Sequence, residues 1–137
     1  MNKIRIFLLR YLNLLLIILH VTFCSTQNQT TISEEEALKK ISFDLNSLNE
    51  DGLYGEPAGL VSLDYKFCVL MNDDSKNEVA KIDTTINFHN GTGMKDGCSK
   101  DEYLCIGSTH QKDFKQVLIN LASLEYVEKI EQMFWEK

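Results

Sequence analysis

The sequence predicts an α+β domain of the ferredoxin-like kind. Its four-stranded antiparallel sheet carries two helices on one face, built in the order βαββαβ and preceded by an extra N-terminal helix. Three observations carry this expectation. Residues 61–70 alternate, with Leu63, Tyr65, Phe67 and Val69 on one side and Asp64, Lys66 and Cys68 on the other, the period of a half-buried strand. Phe114, Val117, Leu118, Leu121 and Ala122 recur at helical spacing. Short β-branched or apolar runs at 84–88, 102–106 and 127–135 supply the remaining strands.

Ahead of this domain the chain has a different character. Lys3, Arg5 and Arg10 precede an apolar block over 11–23 centred on Leu14, Leu15, Leu16, Ile17, Ile18 and Leu19. A basic start followed by an apolar stretch short of the ~20 residues of a spanning helix reads as a secretory signal, residues 1–24. An uncleaved N-terminal anchor is the competing reading. Val21-Thr22-Phe23-Cys24 resembles a degenerate bacterial lipoprotein signal, in which Cys24 is lipidated and becomes the new N-terminus. Phe23 departs from the small residue usual at that position, and ordinary cleavage after Cys24 stays open. Residues 25–32 are polar and without pattern, as in a flexible tether.

The first organised element follows. Ser33 and Glu36 form a capping box, and Leu38, Ile41, Leu45 and Leu48 then make one apolar stripe, so a helix is expected over 33–52, ended by Gly52. Gly55, Pro57 and Gly59 make 53–60 a loop. Within the domain at 61–137, the strand at 61–70 leads to a short helix opened by a second capping box, Ser75 and Glu78. A strand at 84–88 and a glycine-punctuated loop at 89–99 come next. The strand at 102–106 places Leu104 and Ile106 on one face and Tyr103 and Cys105 on the other; the aliphatic pair is expected against the helices, buried with Val117, Leu118 and Leu121. Right-handed crossovers set the first and third strands side by side at the sheet centre.

Charge narrows the partners. The chain has 14 basic and 20 acidic side chains. Three of the basic ones lie in the leader, which leaves 11 against 20, a net charge of about −9. Nothing basic is arrayed to neutralise phosphates, so nucleic acid is excluded as a partner. Membrane contact is expected only through the leader or a lipid at Cys24.

Four cysteines are present. With Cys24 set aside, Cys68 and Cys105 are expected on the two central strands, both pointing away from the helices and close enough to bond in an oxidising compartment. Cys98, in the glycine loop, is an alternative partner for either. Unpaired buried thiols, or a metal or thiol-exchange site, are the competing uses of the trio. His89 and His110 are candidate nitrogen ligands, but no CxxC is present and the spacing of Cys98 and Cys105 is not that of a zinc knuckle.

Other candidates have plain readings. Gly107-Ser108-Thr109-His110-Gln111 precedes the long helix; Thr109 is expected to cap it, with an anion site at the helix start as the rival. Asp73-Asp74 and Asp101-Glu102 read as solvated charges. Tyr126, Met133, Phe134 and Trp135 read as core or edge packing. Asn28-Gln29-Thr30 and Asn90-Gly91-Thr92 match glycosylation acceptors. Neither GxSxG nor SxxK occurs.

The sequence thus points to an exported, membrane-tethered or secreted small binding protein without catalytic residues or cofactor, its protein or small-molecule partner unspecified. The alternative is a thiol-redox or metal-handling protein using Cys68, Cys98 and Cys105.

Overall fold

The Ser33–Glu36 capping box forms: the Glu36 amide donates to Ser33 Oγ at 3.3 Å and the Ser33 amide to Glu36 Oε2 at 3.2 Å. The helix it opens, α1 (Glu34–Lys39), is only six residues long. The computed structural model describes residues 32–93 and 97–135; the leader, Cys24 and most of the tether lie outside them. The stripe expected to continue α1 to residue 52 is broken after Lys40, because tertiary pairing outcompetes helix propensity. Ile41 bridges Ile130 in parallel, the Ser42 amide donates to Ile130 O at 2.9 Å, and the Ile130 amide donates to Lys40 O at 2.8 Å. Ile41 and Leu48 still reach the core, but from extended chain, Leu48 directly after a 3₁₀ turn (Leu45–Ser47) capped by Asp44.

The glycine-rich stretch after it is a small hairpin, β1 (Leu53–Tyr54) with β2 (Val61–Ser62), pairing Leu53 with Ser62 and Tyr54 with Val61. The strand β3 (Asp64–Leu70) follows the expected alternation, with Tyr65, Phe67 and Val69 buried. Helix α2 (Asp73–Ile82) is capped three residues earlier than expected: Asn72, not Ser75, is the cap, its side chain accepting from the Ser75 amide, while Glu78 accepts from Tyr126 Oη at 2.7 Å.

Strand β4 (Asn87–Asn90) begins later than expected, because Asp83 holds the preceding turn. Asp83, 1% exposed, accepts hydrogen bonds from the Tyr65 hydroxyl and, at 2.8 Å, from the Thr85 amide. Strand β5 (Glu102–Ser108) leads to helix α3 (Phe114–Ala122), and β6 (Glu131–Gln132) is all that is laddered of the expected 127–135 strand. Thr109 does not cap α3. Its side chain is buried, donating to Gly52 O at 2.6 Å and accepting from the Leu63 amide at 3.0 Å, and α3 starts from Asp113 in the left-handed region at φ 55°.

The fold is α+β, with these three helices, the two-stranded sheet and a four-stranded antiparallel sheet ordered β4-β5-β3-β6. One face of that sheet sends Tyr65, Phe67, Val69 and Cys105 into a core shared with Val79 of α2 and Phe114, Leu118 and Leu121 of α3. Helix α1 packs beside α3 and adds Ala37 to the same core. Leu104 and Ile106 are not in it, contrary to the face expected for them. They form a second cluster with Cys98, against which Cys68 and Met133 pack.

Leu118 is fully buried, so Leu118→Ala is expected to cost about 2–5 kcal/mol in urea unfolding. Unchanged stability would mean that α3 does not dock on this face.

Candidate binding face

Strand pairing decides which side chains reach the face that the helices leave. In an antiparallel ladder, directly paired residues share a side of the sheet. Cys68 pairs with Leu104, Lys66 with Ile106, and Asp64 with Ser108. On the flanking strands Asn87 pairs with Ile106, His89 with Leu104, and Glu131 with Lys66. These residues therefore stand together on the second face, with apolar Leu104 and Ile106 in the middle and polar or charged groups around them.

The glycine loop is bonded to this face through Cys98. Cys68 and Cys98 form a disulfide with Cα atoms 5.5 Å apart, well inside the range that such a bond tolerates. The bridge expected between Cys68 and Cys105 is thereby corrected. Phe67, not Cys68, pairs with Cys105, so Cys105 points into the helix-side core, where it is fully buried as a free thiol. Burial pushes its pKa up to about 12; a protonated, enclosed thiol is neither a nucleophile nor a ligand. The three cysteines do not converge.

Other contacts brace the loop. The Ser99 amide donates to Glu102 Oε2 at 2.7 Å, the Gly93 amide to Cys98 O at 3.0 Å, and the Gly91 amide to Glu102 O at 2.8 Å. Gly91 lies so close that a Cβ there would stand 2.0 Å from Ser99 O; a larger residue would force the loop off the sheet.

Among the described residues, a hollow lies on either side of the apolar centre. One, of about 260 Å³, lies where β6 parts from β3, between Lys66, Cys68, Glu102, Lys129 and Glu131. There the Lys129 ammonium, 2.6 Å from Glu131, holds that carboxyl below its usual range. The other, of about 230 Å³, lies beside Trp135, with Asp64, Asn87, His89 and Ser108. Trp135 is 62% exposed, and its indole Nε1 donates to Asp64 Oδ2 at 2.8 Å. Of that C-terminal group, Tyr126 packs against the helix-side core and Met133 against the second cluster, while Phe134 and Trp135 are exposed and not part of either core. The distinguishing signal in sequence was position: Trp135 follows the last residue that β3 could pair.

The remaining candidates are dispersed. His110 lies away from His89, its Nδ1 3.1 Å from Asp51 O. Asp73 and Asp74 occupy the first turn of α2, where carboxylates complement the helix dipole. Asn90 is exposed; the other glycosylation match lies outside the described residues. Among the described residues, no three His, Cys, Asp or Glu side chains converge to hold a metal ion, and no helix is long and apolar enough to cross a membrane. No family model matches the chain, and no curated protein or solved structure is detectably similar to it.

The disulfide separates its cysteines by 30 residues, for which the chain-entropy relation gives about 4 kcal/mol of stabilisation. Cys68→Ser and Cys98→Ser should each lose about that amount, and the double variant little more, since one bond is removed in all three. Additive losses in denaturant unfolding would mean that the two thiols are not joined.

Proposed function

We propose that the chain is an exported binding protein whose domain, residues 61–137, has the ferredoxin-like βαββαβ arrangement and uses its helix-free sheet face to hold a partner. The order β4-β5-β3-β6 supports the arrangement. Counted along the chain, the sheet strands stand second, third, first and fourth, and α2 and α3 each connect strands that are not neighbours, as the split βαβ requires.

The observation that carries the functional reading is the bridge from Cys68 to Cys98. Such bonds persist in oxidising compartments, which agrees with a basic, apolar leader over 1–24. The bridge also fixes the glycine loop on a face built from strands, and binding groups on rigid elements are better positioned than groups on mobile ones. The face offers hydrogen-bonding and charged side chains around a small apolar centre, the composition of a recognition surface. Lipid at Cys24 would hold the domain at a membrane through the polar tether; cleavage without lipid would release it.

Fractionation of cells expressing the full chain tests this. A processed product outside the cytoplasm is expected, and a soluble full-length cytoplasmic product would overturn export. Cys24→Ala is expected to move the domain from the membrane to the soluble exported fraction, and unchanged partitioning would remove the lipid.

A further inference from the structure

We propose that the hollow beside Trp135 is a saccharide site that takes a single sugar ring. The inference rests on the reading of the helix-free sheet face as the binding surface and names the ligand that one part of it recognises.

The chemistry of the lining carries the inference. A sugar ring presents an apolar C–H face and a rim of hydroxyls that both donate and accept. The hollow offers a matching pair of surfaces. Trp135, left 62% exposed, supplies a flat indole, the largest apolar ring face available to a protein. Its edge is pinned through the Nε1 hydrogen bond to Asp64 Oδ2, so that the ring is oriented and the carboxylate keeps acceptor capacity for a hydroxyl. Across the hollow stand the Asn87 amide, the His89 imidazole and the Ser108 hydroxyl, groups that both donate and accept.

Strand pairing places these groups independently of the hollow's shape. Asp64 is directly opposite Ser108 in the ladder, and Asn87 opposite Ile106, so they project from adjacent central and edge strands onto one face. The Asn87 side chain is steadied by donating to Thr85 O at 3.3 Å, which leaves its carbonyl oxygen as an acceptor. Size and charge narrow the ligand further. At about 230 Å³ the hollow is below the ~300–1,000 Å³ of sites for drug-sized molecules, room for about one ring. None of its lining residues is lysine or arginine, so phosphate and carboxylate ligands meet no fixed cation there.

Trp135 is the chain's only tryptophan, so indole emission reads this hollow alone. The full processed protein is titrated with glucose, galactose, mannose and N-acetylglucosamine, with choline chloride as the rival ligand. Emission is followed alongside amide NMR shifts. At least one sugar is expected to shift the emission saturably and to move the amides of Asn87, His89 and Ser108. Trp135→Phe should keep that binding, and Trp135→Ala should weaken it about tenfold, the upper end for one aromatic contact, with the remaining amide spectrum intact. A response to choline but to no sugar would overturn the ligand class. Sugar-induced shifts around Lys66, Glu102 and Lys129 instead would overturn the location while leaving the face as a binding surface. No response to any sugar would overturn the saccharide site, whereas ligand-induced amide shifts confined to the helix side of the sheet would overturn the reading of the helix-free face on which it rests.

Discussion

Seven consecutive residue pairs join β3 to β5, from Asp64 opposite Ser108 to Leu70 opposite Glu102. Because side chains alternate with a period of two, this one register assigns every residue of both central strands to a face. Tyr65, Phe67, Val69 and Cys105 go to the helices, and Cys68, Leu104 and Ile106 go to the other side with Cys98. A slip of one residue would set Cys68 opposite Cys105, and would drive Leu104 and Ile106 toward the helices in place of Cys105. The disulfide, the buried thiol and the composition of the exposed face are thus consequences of a single pairing. The bond from Cys68 to Cys98 in turn supports that pairing, since it can form only while Cys68 projects toward the loop.

At the far end of the same two strands a second constraint organises the N-terminal segment. Thr109 Oγ1 donates to Gly52 O and accepts from the Leu63 amide, replacing ladder bonds where β3 and β5 end. The contact is so close that a Cβ on Gly52, whose φ is +73°, would lie 1.8 Å from Thr109 O. Glycine is therefore required there both by conformation and by space. The β1–β2 hairpin stands on this junction, and Tyr54, Leu60 and Val61 remain exposed on it. Deeper in, the hydrogen bond from the Tyr65 hydroxyl to buried Asp83 ties β3 to the end of α2. Desolvation and the adjacent carboxylate both push the Tyr65 pKa upward, so the phenol stays protonated and keeps donating.

How much of this was legible in the sequence follows from what each residue depends on. The β3 alternation and the α3 stripe were readable because one face of each is buried and the other is not, which leaves an unmixed period. The Ser33–Glu36 capping box was readable because it is local. The end of α1 was not, since Ile41 leaves the helix to meet Ile130, a partner 89 positions away. The faces of β5 were ambiguous for a physical reason. It is a central strand buried on both sides, with Leu104, Cys105 and Ile106 all under 9% exposed, so alternation carries no information about which set meets the helices. Assigning the aliphatic pair to the helices inverted Cys105 and with it the expected bridge. Thr109 had the residue type of a cap but serves a buried junction instead, and Asp113 takes the helix start. Trp135 had the composition of core, while its place beyond the end of β3 left it on the surface.

The binding reading, the stapled loop and the inert Cys105 all rest on the faces that this register assigns. Proteolytic peptide mapping of the native protein, alkylated under denaturing conditions without reduction, tests that assignment most directly. The account predicts one cross-linked species joining the peptides that contain Cys68 and Cys98, with the Cys105 peptide recovered alkylated. A cross-link from Cys105 to Cys68 would contradict it, because it would require β5 to present its other face to the loop.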